Sequence, residues 1–176
     1  QNEFSKSEEV LRKVIELEPD HSDARLYIAL AKRANGERED AKALLEVAEE
    51  IDGQNANYKK WLGLLSLETG DLVAALEYTN NSIELDPLDI SVYSQMGTIC
   101  NEMDDFGLAE KSYAAGLKID PDDMRCLGGL ASTFIKLGKL DEAKRKIIEA
   151  NRKGGEEHPL VLSVSALLDS FSGQKQ

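Results

Sequence analysis

The stretch LETGDLVAALEYTNNSIELDP, residues 67–87, decides the fold. A helix ends at Gly70, a second one runs through apolar residues at helical spacing, and Pro87 closes the segment. Its closing motif returns at a fixed interval. ELEPD (16–20), ELDPL (84–88) and KIDPD (118–122) set Pro19, Pro87 and Pro121 in one 34-residue register, with Gly53 and Gly155 at the remaining marks. A fixed period of this length is the signature of a repeat array.

Other columns keep the same period. Ala29, Gly63, Gly97, Ala131 and Ser165 are all small, and each follows an apolar residue: Ile28, Leu62, Met96, Leu130 and Val164. A second small column reads Ser7, Ala41, Ala75, Ala109 and Ala143; a third reads Val14, Ala48, Ser82, Gly116 and Ala150. Two helix backbones approach closely only where a side chain is missing, so these columns mark packing seams. Gly36, Gly70 and Gly138 recur midway, where a helix needs a left-handed terminus before the chain reverses; Asp104 takes that place in the third repeat.

Small residues at these offsets, the mid-repeat glycine, the closing proline and the 34-residue spacing resemble the tetratricopeptide repeat over nearly the whole chain, from Phe4 to Phe171. Arg25 and Lys59 stand where that family carries an aromatic. The resemblance implies an all-α, right-handed superhelical solenoid of antiparallel helix pairs. It is expected as a single array over 1–171: a half repeat at 1–19, repeats at 20–53, 54–87, 88–121 and 122–155, a final helix at 156–171 and a polar tail at 172–176. Helices are predicted over 4–18, 22–34, 38–51, 56–68, 72–85, 90–102, 106–119, 124–136, 140–152 and 158–171. Gln1, Asn2 and Glu3 align with an intra-repeat turn, so the array is expected to begin halfway through a repeat.

Composition narrows the function classes. A net charge of −12 opposes recognition of a phosphate backbone, which needs a basic stripe, and also disfavours anionic membrane surfaces. No run of apolar residues is long enough to insert in a membrane. No cofactor, metal or catalytic constellation is expected. The two histidines, His21 and His158, read as helix-entry residues, and the Gly-Gly pairs lack the strand and lysine of a phosphate loop. Cys100 and Cys126 read as small buried apolar residues, with a mutual disulfide as the alternative.

The resemblance implies that ligands lie against the first helix of each repeat. Carried across, the partner-binding positions are Leu26, Tyr27, Leu30 and Arg33, then Asn57, Lys60, Trp61 and Leu64, with Gln95 and Arg125 further on. Periodicity alone puts Leu26, Leu30 and Arg33 on one helix face and Lys60 and Leu64 on another. An apolar, aromatic surface edged by Arg33 and Lys60 suits an amphipathic helix or peptide carrying acidic residues. Leu26, Leu30 and Trp61 stand where chaperone-binding members carry their carboxylate clamp, which argues against that mode. The expected function is a non-catalytic protein–protein interaction module, adaptor or assembly scaffold. The alternative is a substrate-capture or self-assembly segment of a larger enzyme or secretion machine.

The last helix, HPLVLSVSALLDSF, holds one charge among its apolar residues. Leu160, Val164, Leu168 and Phe171 are therefore expected to form a continuation or end-to-end surface, open to homo-oligomers. A cytoplasmic location is favoured, with the periplasm open to a chain that has lost a signal sequence.

Overall fold

A computed structural model of the protein describes residues 2–173, with side chains from 8 to 171. Gln1, the side chains of Phe4 and Ser7, and residues 174–176 of the expected tail lie outside the described residues. The described residues form ten α-helices, one short 3-10 turn and no strand. The helices are α1 (Asn2–Leu17), α2 (Ser22–Ala34), α3 (Arg38–Ile51), α4 (Ala56–Thr69), α5 (Leu72–Leu85), α6 (Ile90–Glu102), α7 (Phe106–Ile119), α8 (Met124–Lys136), α9 (Leu140–Arg152) and α10 (Pro159–Gly173). The predicted bounds hold to within two residues. Asn2 and Glu3 are helical where a turn was expected, and α10 continues through Ser172 and Gly173.

Backbone groups at the helix ends explain why the period is so strict. His21, Asn55, Asp89 and Asp123 stand 34 residues apart, each just before a first helix of a pair. Each side chain accepts a backbone N–H of the first turn: Ala24 at 3.2 Å, Asn57 at 3.0 Å, Ser91 at 2.9 Å and Cys126 at 2.8 Å. Before the second helices, Asp71 and Asp105 accept from Ala74 and Leu108 at 3.1 and 3.0 Å. Glu37 and Lys139 hold the same register without a side-chain cap. There, Glu39 with Asp40 and Asp141 with Glu142 set negative charge against the first-turn N–H groups instead.

The turn within each pair is built the same way four times. Glu37, Asp71, Asp105 and Lys139 donate their N–H to the carbonyls of Lys32, Ser66, Cys100 and Phe134 at 2.8–2.9 Å, a six-to-one closure. The residue just before each donor is left-handed: Gly36, Gly70 and Gly138, and Asp104 at φ 58°. Asp104 thus adopts a conformation that a Cβ disfavours by roughly 1–2 kcal/mol, less for aspartate than for most residues. Asp104→Gly is expected to raise stability by about 0.5–1 kcal/mol after the added freedom of the unfolded chain is discounted. An unchanged or lower denaturation midpoint would show that the aspartate is not strained.

The chain divides into two compact units, Gln1–Pro87 and Leu88–Gln176. In the first, α2 pairs with α3 and α4 with α5, α4 packs on α3, and α1 packs on α2. Its core joins Leu26, Ala29, Ala41, Leu45, Ala48, Tyr58, Leu62 and Leu65. The small columns sit at the helix crossings, and Ala29, Ala41, Ala48 and Ala75 are fully buried. The Tyr58 hydroxyl, at the end of a buried ring, lies 2.9 Å from both Asp23 Oδ1 and Ser22 Oγ, which ties α4 to the start of α2. Lys59 pairs with Glu49 and stands 5.8 Å over the Tyr78 ring, linking α4 to its two neighbours.

In the second unit α6 pairs with α7 and α8 with α9, and α8 also packs on α6 and α7. Tyr113 of α7 is buried where α6 and α8 meet, with its hydroxyl 3.1 Å from Thr98 Oγ1. Room for its ring comes from two glycines: a Cβ on Gly97 or on Gly129 would lie 2.5 or 2.4 Å from ring atoms. Beside it, Asn101 Nδ2 donates to Thr133 Oγ1 at 3.0 Å, so two buried polar side chains satisfy each other across α6 and α8. Cys100 and Cys126 are free and buried.

Burial, aided by the neighbouring Asp105 and Asp123 carboxylates, pushes the Cys100 thiol up to about 11 and that of Cys126 up to about 12. The folded state therefore favours the protonated thiols. That contribution is complete below the ordinary thiol value of 9.0 and is lost as pH climbs through the raised values. At neutral pH neither cysteine is expected to react with a disulfide reagent until denaturant is added. Rapid labelling of the native protein would contradict this burial.

The terminal helix corrects an expectation. α10 packs on α8 and α9, and Val164 and Leu168 are buried with Val161 in that contact rather than forming an outer surface. The spacing 161, 164, 168 is one helical face, which the second unit covers. Leu160 is half-buried over Gly128, where a Cβ would meet its Cγ at 2.9 Å. Of the four residues expected to face outward, only Phe171 is exposed, together with Leu162 and Leu167.

Candidate functional site

The expected binding residues of the first unit lie on α2 and α4 but differ sharply in what they can offer. Leu26 is only 9% exposed and belongs to the core cluster that α2 shares with residues of α3 and α4. It supports the site and cannot act as a contact side chain. Leu30 and Trp61 are half-buried, and both pack on the same core cluster. Leu64 and Lys60 are also half-buried, while Asn57 is exposed in the first turn of α4.

Arg33 is committed. Its guanidinium forms a two-pronged pair with Glu68, with Nε 3.0 and 3.1 Å from the two carboxylate oxygens, and its Cζ stands 5.5 Å over the Trp61 ring. Arg38 approaches the same carboxylate at 3.4 Å. Arg33 was expected as a cation bordering the groove; Glu68, one repeat further along the chain, neutralises it. What faces outward is the combined arginine–tryptophan surface.

Tyr27 is the most exposed aromatic on this face, at 58%. It lines a cleft of ≈ 350 Å³ with Leu11 and Glu8 of α1 and with Ile28, Leu30, Ala31 and Ala34 of α2. The cleft is apolar apart from Glu8, whose carboxylate is held by Arg12 at 2.7 Å. Sequence reading missed Leu11, Ala31 and Ala34 as lining residues. For Ala31 and Ala34 the signal was the helical face that they share with Tyr27 and Leu30, hidden because small alanines read as packing residues; Leu11 comes from α1, which no spacing rule joins to α2.

In the second unit Gln95 is buried, and Arg125 is exposed with its Nη2 3.2 Å from Asp123 Oδ2. His21 caps α2, and the carbonyl of His158 accepts the N–H of Leu162 in the first turn of α10, so both act at helix entries. Among the described residues no group of three or more His, Cys, Asp or Glu could hold a metal ion. No helix among them is long and apolar enough to cross a membrane.

Family models described as tetratricopeptide repeat match residues 1–67 and 90–123, together more than half of the chain. The chain belongs to the tetratricopeptide repeat family. It is 24% identical over 172 residues to the tetratricopeptide repeat-containing protein trd-1 of Caenorhabditis elegans, covering 98% of this chain and 21% of that protein. The chain thus spans about a fifth of that relative's length. Among solved structures, MamA superposes with a TM-score of 0.80 at 20% identity, over 89% of this chain and 91% of that one. YrrB, described as a TPR protein with an unusual peptide-binding site, gives 0.76 at 19% identity over 94% and 84%. These likenesses establish the helical repeat fold.

Proposed function

We propose that the chain is a non-catalytic protein–protein interaction module, an adaptor or assembly scaffold that binds a peptide or helix of a partner. Its repeats at 20–53, 54–87, 88–121 and 122–155 would act as one array. The observation that carries this reading is Tyr27, exposed over an apolar cleft on the α1–α2 face, on the same helix as Arg33, which stacks on Trp61 of α4. With Leu11, Leu30, Ala31 and Ala34 beside it, the tyrosine is part of a contiguous apolar patch rather than a lone surface aromatic, and such patches mark interaction sites. Tyrosine, tryptophan and arginine are also the residue types that dominate binding hot spots. YrrB, a relative in fold, is itself described as peptide-binding.

Because Arg33 is neutralised, the site selects for apolar and aromatic contact more than for acidic residues. The test is cross-linking in native extract with wild type, Tyr27→Ala and Trp61→Ala side by side. A partner set present with wild type and lost with both variants supports the reading. The same set with all three proteins rejects this face. Recovery of the chain's own copies alone would favour the self-assembly alternative, for which Leu162, Leu167 and Phe171 on α10 supply an exposed apolar surface.

A further inference from the structure

We propose that the outward face of α9 is a second docking surface, built for an acidic amphipathic helix of a partner protein. The chain is acidic overall, yet seven of its 21 lysines and arginines fall between residues 136 and 153, against three carboxylates. Several of these cations are already engaged: Lys146 with Glu149 at 2.8 Å, and Lys153 with Asp122 at 2.6 Å. Arg145 touches only Glu142, at 3.7 Å, and Lys144 and Arg152 have no ion pair among the described residues. Arg145, Ile148 and Arg152 follow one another at i, i+3 and i+7, on one face of the helix. With Glu149 and Lys153 they line a hollow of ≈ 570 Å³, in which Ile148 is 41% exposed.

The basic pair is not common to every repeat, and the large apolar residue between its members belongs to this helix, since the position of Ile148 holds Ala114 and Asn80 one and two periods earlier. One and two periods earlier, the positions of Arg145 hold Lys111 and Glu77, and those of Arg152 hold Lys118 and Glu84. All of these side chains are exposed, so no packing demand explains the change of sign. An apolar residue between two exposed arginines about 10 Å apart matches a helix that carries acidic residues two turns apart with a leucine-like residue between them. A polyphosphate would need a longer basic track and would meet the net charge of −12, as would an anionic lipid surface.

The test is fluorescence anisotropy with a labelled amphipathic helical peptide of glutamates and leucines, on wild type, Arg145→Glu with Arg152→Glu, and Tyr27→Ala. Binding is expected to fall at least about tenfold on charge reversal and to weaken with salt, while Tyr27→Ala binds as wild type does. Both substituted arginines are exposed, so the variant is expected to keep its circular dichroism. Equal affinity of wild type and the reversed variant would overturn the proposal. So would tighter binding of a single-stranded oligonucleotide or of phosphatidylserine vesicles than of the peptide. Loss of peptide binding in Tyr27→Ala alone would assign it to the α1–α2 cleft and likewise overturn it.

Discussion

Gly129→Ala is expected to destabilise the second unit by about 1–3 kcal/mol, because the new methyl would lie 2.4 Å from the buried Tyr113 ring. The sign is informative. In a helix interior, alanine normally exceeds glycine by roughly 0.8–1.0 kcal/mol, so without the ring the same substitution would stabilise. Gly107 of α7 provides that control. It is exposed, and its added methyl would meet nothing nearer than Asp105 Oδ1 at 3.7 Å, so Gly107→Ala is expected to raise stability by about 0.5–1 kcal/mol. Denaturation midpoints measure both. Introducing Tyr113→Val beside Gly129→Ala is expected to recover part of the loss, as a double-mutant cycle would show. If Gly129→Ala proves neutral alone, the ring is free to move and the tight seat described for Tyr113 is wrong.

Trp61→Ala is expected to weaken partner binding by about 2 kcal/mol or more, the range for an aromatic anchor at an interface centre. A separate cost falls on folding. Trp61 packs on the first unit's core and carries Arg33 on its face, so truncation removes contacts from that core and the platform of the Arg33–Glu68 pair. Full burial would put that cost at 3–5 kcal/mol; half-burial reduces it to roughly 2 kcal/mol. The two effects separate experimentally. Helical content at low temperature is expected to persist, while the denaturation midpoint falls. Trp61 is the chain's only tryptophan, so its fluorescence in the wild type reports directly on ligand arrival. Unchanged emission on addition of a cross-linked partner, with equal affinity of the variant, would remove Trp61 from the site.

The period and the helix bounds were legible because each rests on a local rule: a left-handed stop, a proline or glycine at the joint, an apolar face every three or four residues. Even Asp104, the exception in the glycine column, holds the same left-handed turn as the glycines. The capping column at 21, 55, 89 and 123 keeps the same period but mixes histidine, asparagine and aspartate, so no single residue type announces it. What sequence could not supply was which face meets which neighbour. Leu26 and Leu30 share a face in the pattern, yet the first is buried in the core and the second stays at its edge. Arg33 looked like a bordering cation because its partner, Glu68, lies 35 residues away and no spacing rule joins them. Val164 and Leu168 looked bare for the same reason: their cover comes from helices earlier in the unit, and the neighbourhood of a single helix does not reveal it.

The four mid-repeat turns share one bonding scheme whether glycine or aspartate occupies the left-handed place. Joints that are chemically alike are also interchangeable. A duplication or deletion of 34 residues, wherever its breakpoints fall, rejoins a helix or a turn to its own equivalent and leaves each bond of the turn with a donor and an acceptor. An event that is not a whole number of periods would strand a proline inside a helix or a left-handed site on a bulky side chain. Such a chain can be lengthened or shortened by whole periods through simple recombination, and its reach can change without any new joint having to arise.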